Sequence, residues 1–215
     1  MAIVGRVAVT TRPRSILHGT DQDCLRQLLE LHAPAQPRIL DATFGRGSMW
    51  RGLEYQPWRN DSNPELEADS HYDFRELPEE WTGTFDVVVF DPPHIAEAGA
   101  RSRYASHFGA RNDDLQHAPD ICHLFAPFLL EAARVLKRRG TILCKVIDQV
   151  HRGRYRHQYV DYILAVRATP GLVACEPLIK EERRAETMTG HNWQVVHHSR
   201  RAHAYWAVAK KGARC

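Results

Sequence analysis

An unbroken apolar run that ends in an acid, two prolines and a histidine occupies residues 85–94, which read Phe85-Asp86-Val87-Val88-Val89-Phe90-Asp91-Pro92-Pro93-His94. A Val/Phe run without polar alternation is typical of a parallel strand that is covered on both faces. The prolines end such a strand, because proline has no N–H to donate to a neighbouring strand. In open α/β sheets, ligands bind outside the carboxyl ends of the strands. Asp91 is therefore predicted to lie at an active-site edge, although Asp-Pro-Pro also occurs as an ordinary strand-ending turn.

A second predicted strand, residues 38–43, leads directly into a turn that contains Gly45 and Gly47. Glycines in such a turn let a ligand approach the backbone. The dinucleotide fingerprint G-x-G-x-x-G/A is not met, because Trp50 stands in the place of the third glycine. This disfavours a nicotinamide dinucleotide and favours a nucleoside cofactor without a pyrophosphate. Asp61 follows Asp41 by twenty residues, which is the spacing of a ribose-binding acid.

Further acidic and glycine-bearing segments follow one another in a fixed order. They are Asp41-Ala42-Thr43-Phe44-Gly45-Arg46-Gly47, Asp61-Ser62-Asn63-Pro64, Asp73-Phe74 and Asp91-Pro92-Pro93-His94. The set is completed by residues 132–143, which contain Gly140, and by residues 201–211. Together this set resembles the class I S-adenosylmethionine-dependent methyltransferases that modify exocyclic amino groups of nucleic-acid bases. The resemblance covers most of residues 15–211.

The resemblance implies an α/β, Rossmann-like class I methyltransferase fold, with a mostly parallel seven-stranded sheet and an antiparallel C-terminal strand pair. It implies S-adenosyl-L-methionine as the cofactor, bound by Asp41, Thr43, Phe44, Gly45, Gly47, Asp61, Asp73 and Phe74. The catalytic residues that it implies are Asp91, Pro92, Pro93 and His94. The implied acceptor is N6 of adenine or N4 of cytosine, with DNA favoured over RNA, and the sequence decides neither the base nor the type of nucleic acid. His94 departs from the family pattern, which has Tyr, Phe or Trp there to stack on a flipped base.

Two segments are locally basic and are predicted to bind the substrate: residues 95–117 and residues 181–201. The first mixes arginines with aromatic side chains, which suits phosphate contacts and base stacking. Its candidate substrate-binding residues are Arg101, Arg103, Tyr104 and Arg111. The alternative is that both segments are solvated surface loops.

Composition is ordinary for a globular protein, with 215 residues, 43% hydrophobic residues and a formal net charge of +3. We expect one methyltransferase domain over residues 1–215, a nucleic-acid substrate and an extended arm at residues 1–14. No apolar run reaches the about 18 residues of a membrane span, and no signal peptide is recognised, so a cytoplasmic location is expected. The histidines and cysteines do not recur at zinc-site spacings, so we predict no metal site and five free thiols. The sequence leaves the oligomeric state open.

Two other functions remain open. One is a methyltransferase that acts on a ribose hydroxyl or a small molecule, with His94 or Lys145 as general base. Lys145 has a simpler explanation as a lysine at the surface end of a strand. The other is a non-catalytic subunit that binds the cofactor, against which the intact Asp91-Pro92-Pro93 argues.

The hydrophobic periodicity predicts a helix over 21–32 with Thr20 as its N-cap, and further helices near 121–137 and 155–168. A fifth strand is predicted over 141–147, and an antiparallel pair over 172–180 and 202–210. Residues 50–58 are too short, with Gly52 and Pro57, for the crossover helix that is expected there.

Overall fold

A sheet of eight strands forms the centre of the protein, whose computed structural model describes residues 13–92, 122–151, 154–181 and 202–212. A separate sheet in these ranges has two strands. The strands are β1 Ile16–Leu17, β2 Ile39–Asp41, β3 Trp58–Arg59, β4 Phe85–Phe90, β5 Leu136–Val146, β6 Gln149–His151, β7 Arg154–Arg156, β8 Leu172–Ala174, β9 Leu178–Glu181 and β10 His203–Lys211. The main sheet has the order β3-β2-β4-β5-β10-β9-β1, and β8 also pairs with β10. β10 is antiparallel to β5, β8 and β9, whereas the other pairs along this order are parallel. The predicted fold class is confirmed.

The continuous apolar run of β4 is explained by two hydrophobic cores, one on each face of the sheet. Val88 and Phe90 belong to the core that contains Phe128, and the Phe90 and Phe128 rings stack 3.7 Å apart. Val87 and Val89 belong to the opposite core, together with Leu25. Because successive side chains of a strand point to opposite faces, both sets of positions in β4 must be apolar.

Within the described ranges, three α-helices cover the sheet: α1 Asp21–His32, α2 Phe125–Val135 and α3 Gln158–Ala168. The predicted bounds of α1, residues 21–32, and its predicted N-cap, Thr20, are confirmed. Thr20 accepts a hydrogen bond from the Asp23 amide, and the Asp23 carboxylate accepts one from the Thr20 amide, which forms a capping box. In the part of the chain that the structure describes, no helix is both long enough and apolar enough to cross a membrane.

Several predicted bounds are wrong. The second helix ends at Val135 because Leu136 is already extended and pairs with Phe85, so β5 begins five residues earlier than expected. Tyr155 lies in β7 and not at the start of a helix. The strand expected over 172–180 is two strands, interrupted before Leu178 by Pro177, which has no N–H to donate.

Other features were not predicted. β1 adds a parallel strand at the edge of the sheet, next to β9. Residues 48–50 form a short 3₁₀ turn where a crossover helix was expected. Cys24, Cys122 and Cys144 are free thiols, but Cys175 is disulfide-bonded, so the prediction of five free thiols is wrong for that residue.

Candidate active site

The carboxyl ends of β2, β3 and β4 meet at one edge of the sheet, where the predicted site residues lie. The Ala42 amide donates to the Val89 carbonyl at 2.9 Å, which continues the pairing of β2 and β4 beyond Asp41. Thr43 Oγ1 then accepts a 2.9 Å hydrogen bond from the Asp91 amide. Thr43 therefore fixes the start of the glycine turn against the backbone of the predicted catalytic acid.

The turn after β2 depends on two glycines with left-handed backbone, Gly45 with φ 58° and Gly47 with φ 64°. A Cβ on Gly47 would lie 2.4 Å from Cζ of Phe44, so the Phe44 ring fills the space beside this glycine. The other side of the ring faces the guanidinium of Arg59, at 5.6 Å. Gly47 is thus required by the internal packing of the turn, whether or not a ligand approaches it.

Asp41 is fully buried beneath this turn. Its carboxylate accepts hydrogen bonds from Trp50 Nε1 at 2.6 Å and from the Thr43 amide at 3.1 Å. Burial raises the pKa of Asp41 to about 7, and the nearby charges of Asp91 and Asp61 act in the same direction, while the two hydrogen bonds oppose them. Asp41 therefore stabilises the turn through hydrogen bonds from beneath it. One of these bonds comes from Trp50, at the position where a dinucleotide site has a glycine.

Asp61 lies on the outer side of the same turn. Its Oδ2 accepts from the Gly45 amide at 2.8 Å and its Oδ1 from the Asn63 amide at 2.9 Å. The side chain is partly exposed, and a carboxylate oxygen has a second lone pair for a further donor. The predicted ribose-binding acid is thus fixed beside the glycine turn.

Asn60 is a site residue that the sequence analysis missed. It is fully buried, and its amide group donates to the carbonyls of Tyr72, at 2.9 Å, and Ala42, at 3.3 Å. Its Oδ1 accepts from Ser70 Oγ and from the Tyr72 amide. Asn60 therefore ties the segment that precedes Asp73 to the end of β2. A polar residue directly after a predicted strand was the available signal.

Asp73 and Phe74 follow this segment and are both half-buried. The Phe74 ring packs edge-on against Phe90, with centroids 4.9 Å apart, directly before Asp91. The Asp73 carboxylate is bound by Arg75, with Nη2 at 2.6 Å, and this hydrogen bond holds the pKa of Asp73 below its usual range. The structure thus places the predicted adenine-binding pair beside the end of β4, with Asp73 held in its charged form.

Lys145 connects Asp91 to a second acid. Its Nζ lies 3.7 Å from Asp91 Oδ2 and 2.9 Å from Asp21 Oδ2, and Lys180 Nζ lies 3.2 Å from Asp21 Oδ1. Only 12% of the Lys145 side chain and 9% of the Lys180 side chain are exposed. The interpretation of Lys145 as a lysine at the surface end of its strand is therefore wrong. Two carboxylates this close favour the charged ammonium, which has no lone pair to accept a proton.

Part of the predicted site lies outside the described residues. These predictions concern Pro93, His94, the substrate-binding residues Arg101, Arg103, Tyr104 and Arg111, and nearly all of the segments 95–117 and 181–201. Within the described ranges, no three His, Cys, Asp or Glu side chains are grouped as a metal site would require.

The charges at this edge suit a particular kind of ligand. Asp41, Asp61 and Asp91 are close enough for the last two to raise the pKa of the first. A cluster of carboxylates attracts a cation and repels a pyrophosphate. The arrangement therefore fits a ligand without a pyrophosphate better than it fits a dinucleotide.

No protein-family model matches the chain, and no curated protein matches it. Among solved structures, the chain resembles the 1,6-didemethyltoxoflavin-N1-methyltransferase of Burkholderia thailandensis with bound S-adenosylhomocysteine, at 11% identity and a TM-score of 0.52, over 90% of this chain and 79% of that one. It also resembles a SAM-dependent methyltransferase of Methanosarcina mazei, at 13% identity and a TM-score of 0.52, over 86% and 96% of the two chains.

A third similarity is to a candidate DNA modification methylase of Thermus thermophilus complexed with S-adenosyl-L-methionine, at 15% identity and a TM-score of 0.39, over 66% of this chain. The chain spans about half of that protein, 50% of its length. At these identities the similarities show the fold alone. The chain therefore has the fold of class I S-adenosylmethionine-dependent methyltransferases.

Proposed function

We propose that the protein is an S-adenosylmethionine-dependent methyltransferase that acts on an exocyclic amino group of a nucleic-acid base, N6 of adenine or N4 of cytosine, in DNA rather than RNA. The observation that carries the proposal is the hydrogen bond between the Asp91 amide and Thr43 Oγ1, which joins the acid of the Asp-Pro-Pro segment to the glycine turn. The acceptor-binding acid and the cofactor-binding turn are thereby held together as one unit.

The residues at the edge fit the cofactor by their chemistry. Asp61 offers carboxylate oxygens to the ribose hydroxyls, and Asp73 and Phe74 offer an acceptor and an apolar face to adenine. The backbone around Gly45 and Gly47 would hold the methionine part, near the carboxylates that complement a sulfonium. The bound cofactor supplies an electrophilic methyl group.

Asp91 and Pro92 act on the acceptor. An exocyclic amine is a poor nucleophile because its lone pair is delocalised into the ring of the base. The Asp91 carboxylate and the Pro92 carbonyl would accept its two N–H groups, which draws the nitrogen towards tetrahedral geometry and frees the lone pair. Positioning and electrostatics then supply most of the acceleration. His94 would stack on the base in place of the usual larger aromatic ring.

A hydroxyl of ribose or of a small molecule is the second candidate acceptor, favoured by the contact between Lys145 and Asp91. In that reaction a base must remove the hydroxyl proton, and His94 or Lys145 would serve. The two carboxylates at Lys145 count against the lysine as a base, because they favour its protonated form. We therefore rank the amino acceptor first.

The experiment is incubation with methyl-labelled S-adenosylmethionine and a panel of duplex DNA, single-stranded DNA, RNA and small molecules, followed by nucleoside mass spectrometry. We expect N6-methyladenine or N4-methylcytosine, lost in an Asp91→Asn variant that still binds the cofactor. Label confined to ribose or to a small molecule would establish the second candidate. Cofactor binding without any transfer would indicate a non-catalytic subunit.

A further inference from the structure

Beyond the end of β5, the chain forms a basic β-hairpin that is separate from the main sheet. β6 and β7 pair with each other in a separate two-stranded sheet, with Gln149 opposite Arg156 and Val150 opposite Tyr155. The sequence from 149 to 160 contains three arginines and two histidines and no acid. The sequence analysis assigned no function to this segment.

The hairpin is anchored at its root. Asp148 is buried, and its carboxylate accepts hydrogen bonds from the Tyr159 amide at 3.0 Å and the Tyr155 hydroxyl at 3.3 Å. The Tyr159 ring stacks on Tyr205 of β10, with centroids 4.2 Å apart. An isolated two-stranded hairpin is only marginally stable in water, so these contacts to α3 and β10 hold it in a defined position.

The root lies at the edge where Asp91 lies. β4 and β5 are paired with Phe90 opposite Cys144, which puts Asp91 beside Lys145. The hairpin begins at Gln149, four residues further on, and an extended chain covers about 3.3 Å per residue. The start of the hairpin is therefore within about 13 Å of the Asp91 position along this strand, roughly four nucleotide steps of a DNA strand at about 3.4 Å each.

The two faces of the hairpin differ in chemistry. Residues directly opposite each other share a face, so Val150 and Tyr155 form an apolar pair on one side, exposed by 46% and 39%. Arg156 and Arg154 alternate with Tyr155 and lie on the other side. The hairpin thus carries an exposed ring on one face and two arginines on the other, which are the side-chain types that bind nucleic-acid strands through base stacking and phosphate contacts.

We propose that the β6–β7 hairpin binds the nucleic-acid strand on one side of the target base, with Arg154 and Arg156 on its phosphates and Tyr155 against a neighbouring base or sugar. The proposal rests on the proposed function, and it gives the acceptor site a substrate-binding element outside the two segments that composition suggested. The charge complementarity between an acid-free basic hairpin and a polyanion selects this partner.

The test compares two pairs of arginines. Arg154→Gln with Arg156→Gln removes two charges from the hairpin, and Arg138→Gln with Arg167→Gln removes two exposed charges from the opposite end of β5 and from the end of α3. Binding of a fluorescent single-stranded oligonucleotide is measured by anisotropy across a salt series. The hairpin pair should bind about tenfold more weakly than the parent, with a salt slope reduced by about 1.4, which is about 0.7 for each lost phosphate contact. The control pair should stay within about twofold of the parent.

If the double variant unfolds, the single variant Arg154→Gln, at an exposed position, keeps the test decisive. Its salt slope should be reduced by about 0.7, half of the change expected for the double variant. Tyr155→Phe keeps the ring, and the Tyr159 amide bond to Asp148 still anchors the root, so this variant should bind within about twofold of the parent. Tyr155→Ala should bind several-fold more weakly. If the parent binds and methylates nucleic acid and the hairpin pair has the affinity and slope of the control pair, the hairpin proposal is overturned and the proposed function stands. If the parent binds no nucleic acid, both are overturned.

Discussion

The indole nitrogen of Trp50 donates a 2.6 Å hydrogen bond to Oδ2 of Asp41, a fully buried acid beneath the glycine turn. In a dinucleotide-binding turn, the position of Trp50 would hold a glycine that allows close packing of a helix. Here the side chain returns to the end of β2 and satisfies the carboxylate, while the chain forms a 3₁₀ turn instead of a crossover helix. The turn is thus stabilised by a polar contact where related folds use backbone packing.

Trp50→Phe should destabilise the fold, because it leaves one oxygen of a buried carboxyl without its donor. The expected loss in the free energy of unfolding is about 1–3 kcal/mol, measured by urea denaturation. Trp58→Phe is the matched control, since Trp58 donates to Ser70 Oγ from a ring that is 43% exposed. Equal losses in the two variants would contradict the role of Trp50.

The pKa of Asp41, raised to about 7 by burial, gives stability a defined pH dependence. The folded state keeps a proton that the unfolded state releases above its pKa of about 4. This contribution to stability is complete below about pH 4 and is lost as the pH rises through about 7. Between pH 5 and 8, the melting temperature of the parent should therefore fall relative to that of Asp41→Asn. Parallel curves for the two proteins would show that Asp41 does not titrate in this range.

Asp61→Ala should weaken binding of S-adenosylmethionine at least tenfold, because buried ribose hydroxyls would lose their acceptor and the Gly45 amide would lose its partner. Calorimetric titration measures the affinity. Glu65→Ala removes an exposed acid from the same loop and should leave it unchanged. An unaltered affinity in Asp61→Ala would remove Asp61 from the cofactor site.

The parts of the structure that depend on local pattern could be predicted. Local sequence is enough to predict β4 and the cap of α1. The first follows from a continuous apolar run, and the second from the spacing of Thr20 and Asp23. Leu136 could not be assigned to β5 from sequence, because its spacing continues the apolar pattern of the preceding helix. Its pairing with Phe85 forms only in the folded sheet. Sequence patterns report such long-range pairings poorly.

The same distinction applies to the site. The spacing from Asp41 predicted an acid at the end of the next strand, and Asp61 lies there beside the glycine turn. Asn60 and Asp21 were missed, because their partners come from distant segments of the chain. Asn60 contacts Tyr72 and Ala42. Asp21 contacts Lys145 and Lys180.

Lys145→Met tests whether the lysine positions Asp91 or acts as a base. Lys145 Nζ is 3.7 Å from Asp91 Oδ2, so its charge favours the carboxylate that accepts the amine. Without it, Asp91 loses a positioning contact, and kcat at neutral pH should fall about tenfold or less. Loss of a general base would cost more, about 10² to 10⁴, at all pH values.

Lys137→Met provides a matched control at the other end of the same two strands. Lys137 on β5 pairs with Asp86 on β4 at 2.8 Å, as Lys145 pairs with Asp91, but at the amino edge of the sheet. This pair is more exposed, with 44% of the Lys137 side chain accessible against 12% for Lys145, so the variant controls for the loss of a β4–β5 ion pair away from the site. We expect its kcat to match that of the parent. A loss of about tenfold or less in Lys145→Met, with no loss in Lys137→Met, would assign Lys145 to the positioning of Asp91. Activity abolished at all pH values in Lys145→Met would instead make Lys145 the base of the hydroxyl reaction.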